Sequence, residues 1–60
     1  MDFSIKINCD NAAFDHKEKE VKRILENIIK QLEDGIDANM IQDVNGNNVG
    51  DFYFIGGETE

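Results

Sequence analysis

Val21, Ile24, Leu25, Ile28, Ile29 and Leu32 fall at i, i+3, i+4, i+7, i+8 and i+11, a spacing that gathers apolar side chains on one side of an α-helix. The stripe predicts one helix, opening near His16, and it needs an apolar surface to lie on. The rest of the chain reads as strand. Before the helix, Phe3, Ile5, Ile7 and Cys9 alternate with Ser4, Lys6 and Asn8, the period of a strand over about 2–9 with one buried face. Cys9 falls on that apolar side and is expected there as a small buried hydrophobe.

Asp15 and Glu18 have the spacing of a capping box at the helix start, and Gly35 is placed to end the helix. Glu18 with Lys22 and Glu26 with Lys30 form i,i+4 pairs on a solvated outer face. Beyond the helix, Met40–Val44 and Val49–Ile55 flank Asn45-Gly46-Asn47-Asn48, two β-prone runs around a turn cluster, hence a hairpin. A register opposing Val44 to Val49 opposes Ile41 to Phe52 and Met40 to Tyr53. It puts Ile41, Phe52 and Phe54 on one face and Met40, Val44, Val49, Tyr53 and Ile55 on the other.

The expected fold is α+β, a single β-α-β-β domain over 1–55 with a flexible acidic tail at 56–60. Placing the last strand between the other two makes every neighbouring pair antiparallel, so the three-stranded sheet has order 1-3-2 with the helix packed on one face. One helix covers one face. The other face stays exposed or is buried in a second chain, which makes Met40, Val44, Val49, Tyr53 and Ile55 the candidate face for a homodimer.

The chain has 60 residues, enough for one domain and one small core. No run is long and apolar enough to span a bilayer, and the first residues lack the basic and apolar regions of an export signal. A soluble cytoplasmic protein is the expectation. The lone cysteine closes no internal disulfide, and one His with one Cys does not make a four-ligand zinc site.

The charge is divided unevenly. Residues 1–30 carry six acids and six bases, whereas 31–60 carry seven acids and no Lys or Arg, so the entire net charge of −7 lies in the second half. Nucleic acid is held by basic stripes, so no direct nucleic-acid ligand is expected on this count. An acidic half is attracted instead to basic protein surfaces, including those that normally hold phosphates; its plainer use is solubility. Glu33, Asp34, Asp37, Asp43 and Asp51 are the candidate charges, and Tyr53 an aromatic anchor beside them.

Two other constellations carry less. Asp43, Asn45 and Asn47 with Asp51 resemble the opening of a calcium loop, but Asn48 stands where its glycine is needed and Phe54 where its closing glutamate is needed. No metal or cofactor is expected. Cys9 and His16 could in principle pair as nucleophile and base, but a chain this short offers no deep pocket to orient a substrate, so no enzyme is expected.

Asp10-Asn11-Ala12-Ala13-Phe14, then Glu20-Val21-Lys22-Arg23-Ile24-Leu25, then Asp43-Val44-Asn45-Gly46-Asn47-Asn48-Val49-Gly50 together resemble a family of small phage and prophage proteins with the pattern DNAAF, EVxxIL and DxNGNxVG. The resemblance covers nearly the whole chain and implies an origin in a mobile element. Small acidic proteins of that context are often stoichiometric inhibitors of host defence, anti-CRISPR proteins among them. Asn11, Phe14, Asn45, Asn47 and Gly50 read most simply as scaffold. The expectation is a small acidic phage-type protein that inhibits a bacterial defence or nucleic-acid-handling complex by occupying a basic site. The alternative is a homo-oligomeric structural or regulatory accessory of the phage.

Overall fold

The computed structural model describes residues 1–56. Its elements run β1 (Asp2–Ile7), a single 3-10 turn (Ala12–Phe14), α1 (Lys17–Glu33), β2 (Asn39–Gln42) and β3 (Asn48–Ile55). The strands form one antiparallel sheet in the order β1-β3-β2, the topology expected from the sequence. The acidic tail falls largely outside the described residues.

The core lies between α1 and the β3–β2 half of the sheet. Phe14, Ile24, Ile28, Ile41, Val49 and Phe52 are buried together, with Ile7, Ala13, Val21 and Leu32 packed around them. Phe52 sits at the centre, 1% exposed. Two members of the helical stripe do not join: Leu25 is 39% and Ile29 55% exposed. At about 100° per residue the stripe spans more of the helix circumference than so narrow a sheet can cover. The outer half of the same sheet face is uncovered too, since Phe3 and Ile5 on β1 and Phe54 on β3 are exposed.

Phe3 lies opposite Phe54 across β1 and β3, with ring centroids 4.7 Å apart. Its ring also meets Phe52 edge-on at 6.1 Å, within the range of favourable aromatic pairs.

The entry to the helix differs from the expected capping box. Asn11 instead caps the 3-10 turn, its side-chain oxygen accepting from the Ala13 N–H at 2.9 Å. Asp15 is drawn into that turn, its N–H donating to the Ala12 carbonyl, so His16 becomes the helix N-cap and makes no side-chain capping bond. The exit follows the sequence. Gly35 adopts φ +85°, and the Gly35 and Ile36 N–H groups donate to the Leu32 and Gln31 carbonyls at 3.0 and 2.9 Å, the paired bonds of a Schellman ending.

The hairpin register is two residues from the expected one. Ile41 pairs with Gly50 and Met40 with Asp51, and a bulge follows, because Gln42 pairs with Asn48 and skips Val49. A shift of two preserves the side-chain faces. Ile41, Phe52 and Phe54 do share the helix side, and Met40, Tyr53 and Ile55 the open side. Val49 is the exception: the bulge turns it into the core, 8% exposed. Val44 is also displaced, lying in the Asp43–Asn47 loop outside β2. Two of the five residues expected on one oligomer face are therefore not on it.

Candidate functional site

The three sequence motifs converge at the end of the domain where β2 turns into β3. Asp43, 4% exposed, is the hub. Its Oδ1 accepts from the backbone N–H of Asn45 at 2.8 Å and of Asn47 at 2.9 Å. Its Oδ2 accepts from the Asn11 side-chain amide at 2.8 Å and from that of Asn47 at 3.1 Å. These bonds close the loop and fix the register, because Asp43 and Val44 are held in the turn instead of lengthening β2. Burial raises the Asp43 pKa, but the hydrogen bonds from Asn47, Asn11 and Asn45 outweigh it and leave the carboxyl below its ordinary value.

Glu20 forms the second half of this junction. It is 7% exposed and accepts from two nitrogens of the Arg23 guanidinium, Nε and Nη2, each at 2.9 Å, and from the Val44 N–H at 2.8 Å. The Arg23 hydrogen bonds, against the opposing effect of burial, hold the Glu20 carboxyl below its usual range, and the same pairing raises the Arg23 pKa. Arg23 Nη2 also reaches the Gln42 carbonyl at 3.3 Å. Residues of the three motifs thus tie the helix and the segment after β1 to the hairpin. Glu20 was not among the site residues expected from the sequence. The available signal was its place four residues before Ile24 and eight before Ile28, on the flank of the apolar stripe, with an arginine one turn on.

The structure separates the acids expected to act together. Asp43 is buried, and its carboxylate is taken up by hydrogen bonds from Asn11, Asn45 and Asn47, so it does not lie on the surface with the other expected acids. Glu33 ends α1 and Asp34 caps it, while Asp37 follows in the connection to β2, and all three are exposed. Asp51 is half-buried on the open face, opposite Lys6 on one side and Met40 on the other. Tyr53 on that face is 39%, Met40 54% and Ile55 48% exposed. The structure therefore offers an acidic end, formed by Glu33, Asp34 and Asp37, and an open sheet face where Asp51 sits among Met40, Tyr53 and Ile55.

The flanks of α1 differ. Toward β2 the contacts are polar: Gln31 donates to Asn27 and accepts from Asn39, each at 2.7 Å. On the other flank Val21, Leu25 and Ile29, with Cys9, floor an open groove of about 450 Å³ that Lys17, Glu18, Lys22 and Glu26 border. Cys9 is thus exposed and not on the buried side of β1, because the strand ends at Ile7 and the chain turns away before Cys9 completes the alternation. His16 lines a different concavity, with Lys19, Glu20 and Arg23.

Among the described residues no group of three or more His, Cys, Asp or Glu is placed to hold a metal ion, and no helix is long and apolar enough to cross a membrane. Comparison with protein-family models, with curated proteins and with solved structures gives no match.

Proposed function

We propose that this chain is a small non-catalytic binding protein of phage type, acting in the cytoplasm of a bacterial host. It inhibits a defence or nucleic-acid-handling complex by occupying a basic surface, as anti-CRISPR proteins do. The observation that carries this reading is the confinement of the whole −7 charge to residues 31–60, with Glu33, Asp34 and Asp37 exposed at one end of the fold. Asp51 and Tyr53 extend the surface across the open face. Fixed charges displayed on a rigid sheet and helix end give on-rate and specificity against a basic groove, and an exposed tyrosine supplies the aromatic anchor common at binding hot spots.

The test is a pull-down from bacterial lysate with tagged chain, eluted along a salt gradient, beside a variant carrying Glu33→Lys, Asp34→Lys, Asp37→Lys and Asp51→Lys. The expected result is a nucleoprotein complex retained by the native chain, released as salt rises, and lost from the variant. Lysines at 33 and 34 suit the negative end of the α1 dipole, so loss of binding does not reflect loss of the helix. Equal retention by both chains sinks the proposal. Recovery of only the chain itself, or of phage structural proteins, favours the accessory reading, for which the exposed Met40, Tyr53 and Ile55 provide a contact face.

A further inference from the structure

We infer that the chain forms a two-fold homodimer through the free edge of β1, with the apolar groove beside α1 closed by the same groove of the second copy. The two edges of the sheet are finished differently. The Asn8 N–H donates to the Val49 carbonyl at 2.7 Å, continuing the β1–β3 ladder. Alternation along an antiparallel pair then turns the backbone groups of Ser4 and Lys6 toward β3 and those of Phe3, Ile5 and Ile7 outward. On the far side of the sheet the same alternation turns Met40 and Gln42 of β2 outward. There the edge is capped by side chains, since Asn39 Oδ1 accepts the Met40 N–H at 2.8 Å and Arg23 donates to the Gln42 carbonyl at 3.3 Å. On β1 the described residues supply only the Cys9 thiol, 3.8 Å from the Ile7 carbonyl. An uncapped edge is a template for another strand.

The side chains of β1 specify a second copy as that strand. In an antiparallel β1–β1 pair centred on Ser4, the outward backbone groups of Phe3 bond those of Ile5 in the partner, so every ladder position is used. Phe3 faces the partner's Ile5 on the helix side of the sheet, and Asp2 faces the partner's Lys6 on the open side, twice by symmetry. Moving the centre by one residue keeps the ladder but puts Asp2 opposite Ser4 or Asn8, losing both charge pairs. The charge pattern of β1 thus selects one register, and that register is self-complementary, as a two-fold interface requires.

The same pairing accounts for the apolar surface the fold leaves open. Leu25 and Ile29 project from the flank of α1 opposite the one that meets β2, which is the β1 side in this strand order. Phe3, Ile5 and Phe54 are exposed on the helix side of the sheet. Joining the β1 edges makes a continuous six-stranded sheet with both helices on one face and these five residues of each copy between them. This interface is distinct from the open face of Met40, Tyr53 and Ile55, which it leaves free.

Sedimentation velocity of the full chain over micromolar to millimolar concentrations tests the inference, with circular dichroism confirming that each variant is folded. The native chain is expected to dimerise. Asp2→Lys sets two like-charge pairs across the interface and is expected to weaken the dimer about tenfold, while Asp2→Lys with Lys6→Glu restores it. Leu25→Asp, at an exposed position, is expected to give a folded monomer. A native chain that stays monomeric throughout overturns the inference, as does a dimer indifferent to Asp2→Lys and Leu25→Asp but dissociated by Tyr53→Asp.

Discussion

Gly50 shows how a single residue holds the domain together. It occupies the position beside the Val49 bulge where β3 lies against β1, and a Cβ placed on it would run into the Lys6 carbonyl oxygen. Backbone, unlike the end of a flexible side chain, has little room to give. Gly50→Ala must therefore pull β1 away from β3 or undo the bulge that brings Val49 into the core. The expected cost is about 3 kcal/mol of unfolding free energy, seen as a lower urea midpoint with unchanged slope. A loss below about 0.5 kcal/mol would mean that the close approach is relieved without cost. The sequence marked Gly50 as scaffold, and the structure gives the reason as lack of space.

The strands show which element properties depend on neighbours. Alternation along 2–7 and 50–55 correctly assigned the faces of β1 and of β3 beyond the bulge, and parity there survived the two-residue error in register; Val49, at the bulge, was assigned to the wrong face. Neither the length of β2 nor the position of the bulge followed from alternation, because both are set by the hydrogen bonds that Asp43 makes to Asn45 and Asn47. The helix ending was legible because a Schellman turn is local. Its start near His16 was legible too, but its cap was not, since Asn11 and Asp15 are used by a 3-10 turn that packs Phe14 into the core. The edge asymmetry gives an element-scale prediction: at the lowest workable concentration, the Phe3 and Ile5 amide hydrogens exchange at least about tenfold faster than those of Ser4 and Lys6. Equal protection across these four amides would contradict the assignment of which groups face outward.

For the molecule as a whole, stability depends on a junction of charged and amide groups joining distant segments. Asn11, Glu20, Arg23, Asp43 and Asn47 link the segment after β1, the helix and the hairpin, so the junction exists only in the folded chain. Both Glu20 and Asp43 have depressed pKa values there. The unfolded chain therefore binds more protons in the acid range, and stability falls as pH falls. This contribution is fully present above the unfolded-state carboxylate value of about 4 and is lost as pH drops through the lower folded-state values. Denaturation midpoints are expected to be level from neutrality to about pH 5 and to decline steeply below about pH 4. A Glu20→Gln, Asp43→Asn double variant should be less stable at neutral pH and show a shallower acid decline. An unchanged acid slope would show that other carboxylates control it.

The sequence by itself determined the element order, the side-chain faces of β1 and of β3 beyond Val49, the helix exit and the separation of charge between the two halves. Each of these rests on local periodicity, on turn chemistry or on counting. The tertiary structure alone decided that Asp43 and Glu20 are buried partners, that Val49 turns inward, and that Cys9, Leu25 and Ile29 remain exposed. Those outcomes depend on how much of the helix circumference three short strands can cover and on which polar groups meet when distant segments pack. The apolar face left open is consequently on the helix side over Phe3 and Ile5, in addition to the open side of the sheet, because one helix laid over β2 and β3 covers only the Ile7 end of the first strand.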